Sequence, residues 1–498
     1  MSLLCNVDIY SILVLAILLI PAYLIYAKNK RQSLSLDPQE ALKQAGGFIP
    51  YIKKLHSEQG AIASHGLPMP NTISCIDTAV MKATLSCGNR PKELFAFLAD
   101  LLGHDNLQIY EQGRAARFRK SVGAAFGQEV IEAKFATLCD IGIQFTNEWK
   151  KAAEENRNGA VIRMQDDCLA LSFHISTKTL LRQILIIKYN SMNYFTEGGT
   201  DIDLTEFKKA YDLALGGLFD KQFGLFDERD NQKIQDALKY IQENVKRLID
   251  QRREEIRRGG KEKKTRDLLT IMIEDNDPET GEPFTDDMMY MIMTGFLIAS
   301  YHTTGIGILW TLFHLAQTPE IQRRLQQEID TTLQGRLPSL ADLSNLEYLN
   351  SIVKEAFRLH SPGVFVARLL PTDTPSTFTL TNGEELSLEP GTTVLFPIPL
   401  VHSSRDYYTD PKTFDPDRWS RQRKDEIKPL TWLPFGYGAR ICPAERLAMV
   451  EVKLVLLLIM QNFNVELTVP AEKVEEVERF VLMAKDDIPM RLKSRCHM

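Results

Sequence analysis

The chain has 498 residues, 44% of them hydrophobic and 25% charged, a balance that excludes a disordered or collagen-like polypeptide. A formal net charge of -6 leaves no basic excess for nucleic acid. The seven cysteines are dispersed with no CxxC pair, which excludes zinc sites of the usual spacing and fits reduced thiols better than a disulfide framework.

Residues 9–27 (IYSILVLAILLIPAYLIYA) carry no charge and approach the roughly 20 residues that cross a bilayer. Lys28, Lys30 and Arg31 follow, and a positive flank places that side in the cytosol. No basic segment precedes the run, which argues against a cleaved signal peptide. The expectation is a single-pass anchor over 1–31, with the endoplasmic reticulum as the default membrane, and a cytosolic body over 32–498.

From 38 to 360 the pattern is mostly helical, as in Leu238, Ile241, Val245 and Leu248. Polar loops are expected at 259–264 and 274–283. Thr285 reads as the N-cap of a helix running to Gln317, with Asp286 and Asp287 in its first turn. That helix is apolar on nearly every side and is expected to run through the middle of the protein, a second membrane span being the rival. After 360 the texture changes. Residues 377–388 alternate around Asn382-Gly383, predicting a hairpin with a type I′ turn. An apolar stretch (393–400), an irregular region (402–434), a helix from Pro443 to Gln461 and a tail hairpin (480–492) complete the reading. The fold class is mainly α with a small β part.

The segment Pro434-Phe-Gly-Tyr-Gly-Ala-Arg-Ile-Cys-Pro-Ala444 stands out. A cysteine just before a helix start is favoured as thiolate by the positive helix end and free amides. Pro443 at the first helical position presets φ, and Gly436 and Gly438 allow close backbone approach. The bland alternative is a lone buried cysteine.

This segment resembles the haem-binding loop of the cytochrome P-450 family, F-x-x-G-x-R-x-C-x-G. Phe435, Gly438, Arg440 and Cys442 match, and Ala444 stands where glycine is usual. The resemblance implies haem b with Cys442 as the iron ligand, a thiolate pushing electron density onto the metal. It also implies Arg440 beside a propionate. Glu355 and Arg358 (KEAFRLHSP) and Arg418 (FDPDRW) resemble the family's charge triad; context selects them, since E-x-x-R recurs at Glu111/Arg114 and Glu320/Arg323. Arg368 matches a propionate-pairing arginine, with a solvated strand residue as the alternative.

Ala299-Ser-Tyr-His-Thr-Thr304 resembles the oxygen-activation groove A/G-G-x-D/E-T-T. Thr303 takes the alcohol position, His302 replaces the acid and Ser300 the glycine. Histidine carries protons near neutral pH, so the resemblance implies a Thr303–His302 relay; a satisfied core histidine is the alternative. Residues 113–120 resemble the G-x-x-W-x-x-x-R helix, with Ala116 for Trp and Lys120 for Arg. Lys120 is then expected against a propionate as a point charge. Arg114, Arg117, Arg119 and Lys120 form either a face for an acidic reductase or a solvated helix side. These departures, with Cys-Pro-x-x-Arg at 442–446, resemble a divergent orphan branch, family twenty.

The resemblance as a whole implies a cytochrome P-450 fold and a monooxygenase that inserts one oxygen atom from O₂ into a lipophilic substrate. Electrons would come from an NADPH-cytochrome reductase or a cytochrome b5-like donor. Ile298, Ala299, Val364 and Phe365 are expected to line the substrate pocket. Two other readings stand beside it: an O₂-independent isomerase or dehydratase acting on a lipid peroxide, and a non-catalytic haem sensor.

Overall fold

The structure, a computed structural model, describes residues 38–67, 69–181, 187–189, 192–194, 203–222, 227–258, 267–277 and 280–495. The anchor expected at 9–27 and the polar loop expected at 259–264 lie outside the described residues. Helices dominate, among them α1 (Gln112–Val122), α2 (Gln128–Glu154), α3 (Met164–Leu181), α4 (Leu204–Gln222), α5 (Asn231–Arg257), α6 (Asp286–Gln317), α7 (Glu347–Leu359) and α8 (Glu445–Asn462).

The expected long helix is α6. The Thr285 hydroxyl accepts the Met288 N–H at 3.2 Å, and two aspartates in the first turn complement the helix dipole. Leu297, Ile306, Ile308, Leu309 and Trp310 have essentially no exposed surface, and burial of each such side chain stabilises by roughly 1.5–3 kcal/mol. The body of the protein covers this helix, so its apolarity belongs to the core and not to a second membrane span. Two glycines set how closely its neighbours pack. A Cβ at Gly305 would lie 2.9 Å from the Cys168 carbonyl oxygen of α3, and one at Gly307 would lie 2.7 Å from the Phe357 ring of α7.

The β part is a four-stranded sheet and smaller satellites. β1 (Ile62–Ser64) and β2 (Thr72–Cys75) precede α1, and neither was expected from the sequence. β3 (Ala160–Arg163) leads into α3. β4 (Phe365–Leu369), β5 (Ser376–Thr379), β6 (Glu385–Leu388) and β7 (Thr393–Pro397) follow α7, and β8 (Phe463–Leu467), β9 (Glu476–Arg479), β10 (Val481–Ala484) and β11 (Pro489–Ser494) follow α8. The large sheet has the order β1-β2-β7-β4 with β2 and β7 parallel. β7 is buried along its whole length, as an unbroken apolar run in a central strand should be.

Three local expectations need correction. The β5–β6 hairpin forms, but only Gly383 has positive φ (+87°), so its turn is not type I′. Gly383 N–H donates to the Leu380 carbonyl at 3.0 Å and Leu380 N–H to the Glu384 carbonyl at 2.8 Å, a three-residue loop with a left-handed glycine. The tail does not fold on itself from 480 to 492. β9 pairs with β10, whereas β11 crosses to β8 and β3. Asp487 causes the departure by accepting Gln165 N–H at 2.9 Å and Asp166 N–H at 3.1 Å, which fastens the chain to the start of α3. Finally, α8 begins at Glu445, so Pro443 lies ahead of its first turn.

Candidate active site at the Cys442 loop

The loop before α8 is held by its own backbone. Cys442 N–H donates to the Phe435 carbonyl at 2.9 Å and Ile441 N–H to the Gly438 carbonyl at 3.1 Å. The Phe435 ring packs 5.9 Å from Phe357 and 6.3 Å from Trp432, anchoring the loop to α7. Gly438 has φ +71°, and a Cβ there would stand 2.2 Å from the Leu85 carbonyl oxygen. The close approach at Gly438 is therefore to the Leu85 backbone; Gly436, at φ +72°, has ordinary space around it. Burial pushes the Cys442 thiol up, against the Ala444 amide, Arg119 and Arg90, with Glu445 adding to the rise. The expected helix-end stabilisation is thus outweighed, because α8 starts three residues later and desolvation dominates.

Four arginines crowd this loop. Arg440 donates from Nε to the Gly88 carbonyl at 2.6 Å and from Nη2 to the Tyr110 carbonyl. Arg368 is 0% exposed; its Nη1 donates to the Ala367 carbonyl at 2.8 Å and its Nη2 to the Tyr437 carbonyl at 2.9 Å, while its Nε has no acceptor among the described residues. Arg119 donates to the Ile441 carbonyl and Arg90 to the Gln108 side chain. Among the described residues none of the four forms an ion pair with a carboxylate. Burial first, and mutual repulsion next, lower Arg90 to about 9 and Arg368 and Arg440 to about 10.

Two buried guanidinium groups, Arg368 and Arg440, beside the half-buried Arg90 and Arg119 are costly unless an anion joins them. A group carrying two carboxylates, as haem b does, answers that demand, and the orphaned Arg368 Nε is a donor in want of an acceptor. The residues present fit the group. Lys120 does not join them: it is exposed, and its neighbour Arg119 reaches the loop instead. Adjacent helical positions point about 100° apart, which sends the two side chains to different surroundings. Arg90 was missed because no motif surrounds it.

On α6, Ala299 is exposed and Thr303 half-buried, and they lie one turn apart on the accessible side of an otherwise buried helix. The Thr303 hydroxyl donates to the Ala299 carbonyl at 2.6 Å. His302 points elsewhere. It is 4% exposed, and its Nε2 lies 3.0 Å from Asp212 Oδ1 on α4. The two residues expected to act side by side therefore face different surroundings. Of the other wall candidates, Ile298 and Val364 are buried, and Phe365 packs 5.9 Å from Phe48.

The expected charge triad is assembled. Glu355 accepts Arg358 Nη2 at 2.8 Å and Nε at 2.9 Å, Arg418 Nε at 3.4 Å and Trp419 Nε1 at 2.8 Å. His402, which no sequence signal marked, extends it: Nδ1 donates to the Arg358 carbonyl at 3.0 Å and Nε2 accepts Leu433 N–H at 2.8 Å. The chain entering the cysteine loop is thereby tied to α7.

The family model described as Cytochrome P450 matches residues 43–489. Cytochrome P450 3A29 of Sus scrofa is 26% identical over 363 residues, covering 72% of this chain and 69% of that protein. Cytochrome P450 3A13 of Mus musculus is 32% identical over 235 residues, which is 46% of this chain and only 44% of that protein's length. Cyclooctat-9-en-7-ol 5-monooxygenase of Streptomyces melanosporofaciens is 24% identical over 348 residues, 70% of this chain and 69% of that protein. The crystal structure of the cytochrome P450DA heme domain superposes with a TM-score of 0.73 at 21% identity, covering 90% of this chain and 93% of that one. The chain belongs to the cytochrome P450 family.

Proposed function

We propose that the protein is a haem-thiolate monooxygenase that inserts one oxygen atom from O₂ into a lipophilic substrate such as a sterol, fatty acid or xenobiotic. The observation that carries this reading is the cluster of four arginines beside Cys442, Arg368 and Arg440 buried and Arg90 and Arg119 half-buried, with no carboxylate partner among the described residues. Cys442 would ligate the iron, Arg90, Arg119, Arg368 and Arg440 would hold the propionates, and Phe435 and Gly438 would shape the loop. Haem bound there supplies redox chemistry towards O₂. The protein's part is to exclude water with Ile298 and Val364 and to carry protons, Thr303 from the accessible side of α6 and His302 from its buried side. The monooxygenase named for the Streptomyces relative supports the reaction type.

Electrons would come from an NADPH-cytochrome reductase or a cytochrome b5-like donor, and residues 9–27 would anchor the cytosolic body to the endoplasmic reticulum. The test is turnover of a sterol and fatty-acid panel in vesicles with NADPH and a microsomal diflavin reductase under isotopically labelled O₂. Label in the product, and none without NADPH, is expected. Conversion of a lipid hydroperoxide without NADPH or O₂, and of nothing with them, contradicts the reading in favour of an isomerase.

A further inference from the structure

We propose that Arg119 is a positioning residue for the Cys442 thiolate: it clamps the peptide that carries the sulfur and limits how much charge the sulfur gives to the iron. This rests on the haem-thiolate reading above and assigns Arg119 a role beyond any contact with a propionate.

The placement follows from the helix. Ala115, Phe118 and Val122 of α1 are buried, with the Phe118 ring 6.0 Å from Tyr110, so this side of α1 packs inward. Arg119, four residues after Ala115, stands on that side and is half-buried, whereas Arg117 and Lys120 are exposed. Arg119 Nη2 donates to the Ile441 carbonyl. The N–H of the same peptide, that of Cys442, donates to the Phe435 carbonyl at 2.9 Å. The amide between Ile441 and Cys442 is therefore held at both ends, by a charge-assisted bond at its oxygen and a backbone bond at its nitrogen.

A guanidinium on the carbonyl next to Cys442 also sets a positive charge beside the sulfur. The other three arginines are engaged elsewhere: Arg440 on the Gly88 and Tyr110 carbonyls, Arg368 on those of Ala367 and Tyr437, and Arg90 on the Gln108 side chain and 5.4 Å from the Phe95 ring. Burial raises the Cys442 thiol, the Ala444 amide, Arg119 and Arg90 oppose it, and Glu445 adds to the rise. Burial lowers the Arg119 guanidinium and Cys442 raises it, so the two groups act on each other. A thiolate ligand pushes electron density onto iron, and the hydrogen bonds and charges around it tune that push. A cation at the sulfur favours the ferrous centre, which carries one more negative charge than the ferric. An arginine that served a propionate alone would steady the haem without altering the donation from sulfur.

The experiment uses the full-length, haem-loaded protein, two variants that drop the charge, Arg119→Gln and Arg119→Met, and Arg119→Lys, which keeps it. It reads the ferric/ferrous midpoint potential and the C–O stretching frequency of the reduced CO complex, which falls as the thiolate donates more. Without the charge the reduction equilibrium should weaken about tenfold, a fall of about 59 mV in the midpoint, and the C–O frequency should fall with it. Arg119→Lys should restore most of both, and Lys120→Gln, at an exposed site, should move neither. Should one charge-free variant hold no haem, the other decides. An unmoved midpoint and C–O frequency beside faster haem loss overturns the proposal and leaves a propionate contact, with the oxygenase reading intact. A fall that Arg119→Lys leaves unrepaired also overturns it, since that marks a displaced loop. A CO-bound Soret band without thiolate character in the unaltered protein fells the haem-thiolate reading and this proposal together.

Discussion

The Thr304 hydroxyl of α6 hydrogen-bonds Glu451 of α8 at 3.5 Å, so a buried carboxyl links the long helix to the helix that follows Cys442. Burial pushes Glu451 up to about 8, with Thr304 and Lys134 offsetting only part of it. Below the ordinary value near 4.5 the carboxyl is protonated whether the chain is folded or not. From there to about 8 only the folded state keeps the proton, so stability falls as pH rises through that window. Glu451→Gln should flatten the fall, raising stability near the top of the window by something on the order of 3 kcal/mol and changing little near its bottom. Thermal midpoints of both proteins across the window check this.

Glu355→Gln removes the charge that Arg358 and Arg418 surround while nearly keeping its shape. Breaking a buried ion pair by removing one partner costs about 3–5 kcal/mol. Because the same network holds Leu433 through His402, haem content should fall with stability. Soret absorbance per polypeptide and a denaturant midpoint read the two effects together.

The two loop glycines should respond differently to alanine. Both have positive φ, a strain of roughly 1 kcal/mol for a residue with a Cβ. Only Gly438 would also drive that Cβ to 2.2 Å from the Leu85 carbonyl oxygen. Gly436→Ala should retain most haem, and Gly438→Ala should lose nearly all of it, as the Soret-to-protein absorbance ratio will show.

Arg368→Met and Arg440→Met should each speed haem loss to an acceptor protein at least tenfold, about 1.4 kcal/mol by the usual conversion of rates to free energy. Lys120→Met, an exposed residue, should leave that rate unchanged within about twofold. Equal effects at Lys120 and Arg368 would contradict the geometry of the arginine tetrad.

What could be read from the sequence follows from how local each signal is. The α6 helix announced itself through Thr285, the two aspartates after it and a run of apolar residues, because capping and burial act on neighbours in the chain. Cys442, Arg440 and Glu355 were legible as spaced motifs in irregular or helical segments. Arg90 and Glu451 were not, since no motif surrounds Arg90 and Glu451 meets its partner Thr304 from far along the chain. Facing direction was lost for the same reason: Thr303 and His302 are adjacent in sequence, yet one helical step sends them to different surroundings. The tail failed similarly, because Asp487 fastens it to the start of α3.

The central claim is that the sulfur of Cys442 ligates a haem iron, and the CO-difference spectrum of the reduced protein tests it most directly. The full-length protein should show a red-shifted, thiolate-type Soret band that disappears in Cys442→Ser. A protein that takes up no haem, or a Cys442→Ser variant with an unaltered band, would contradict it.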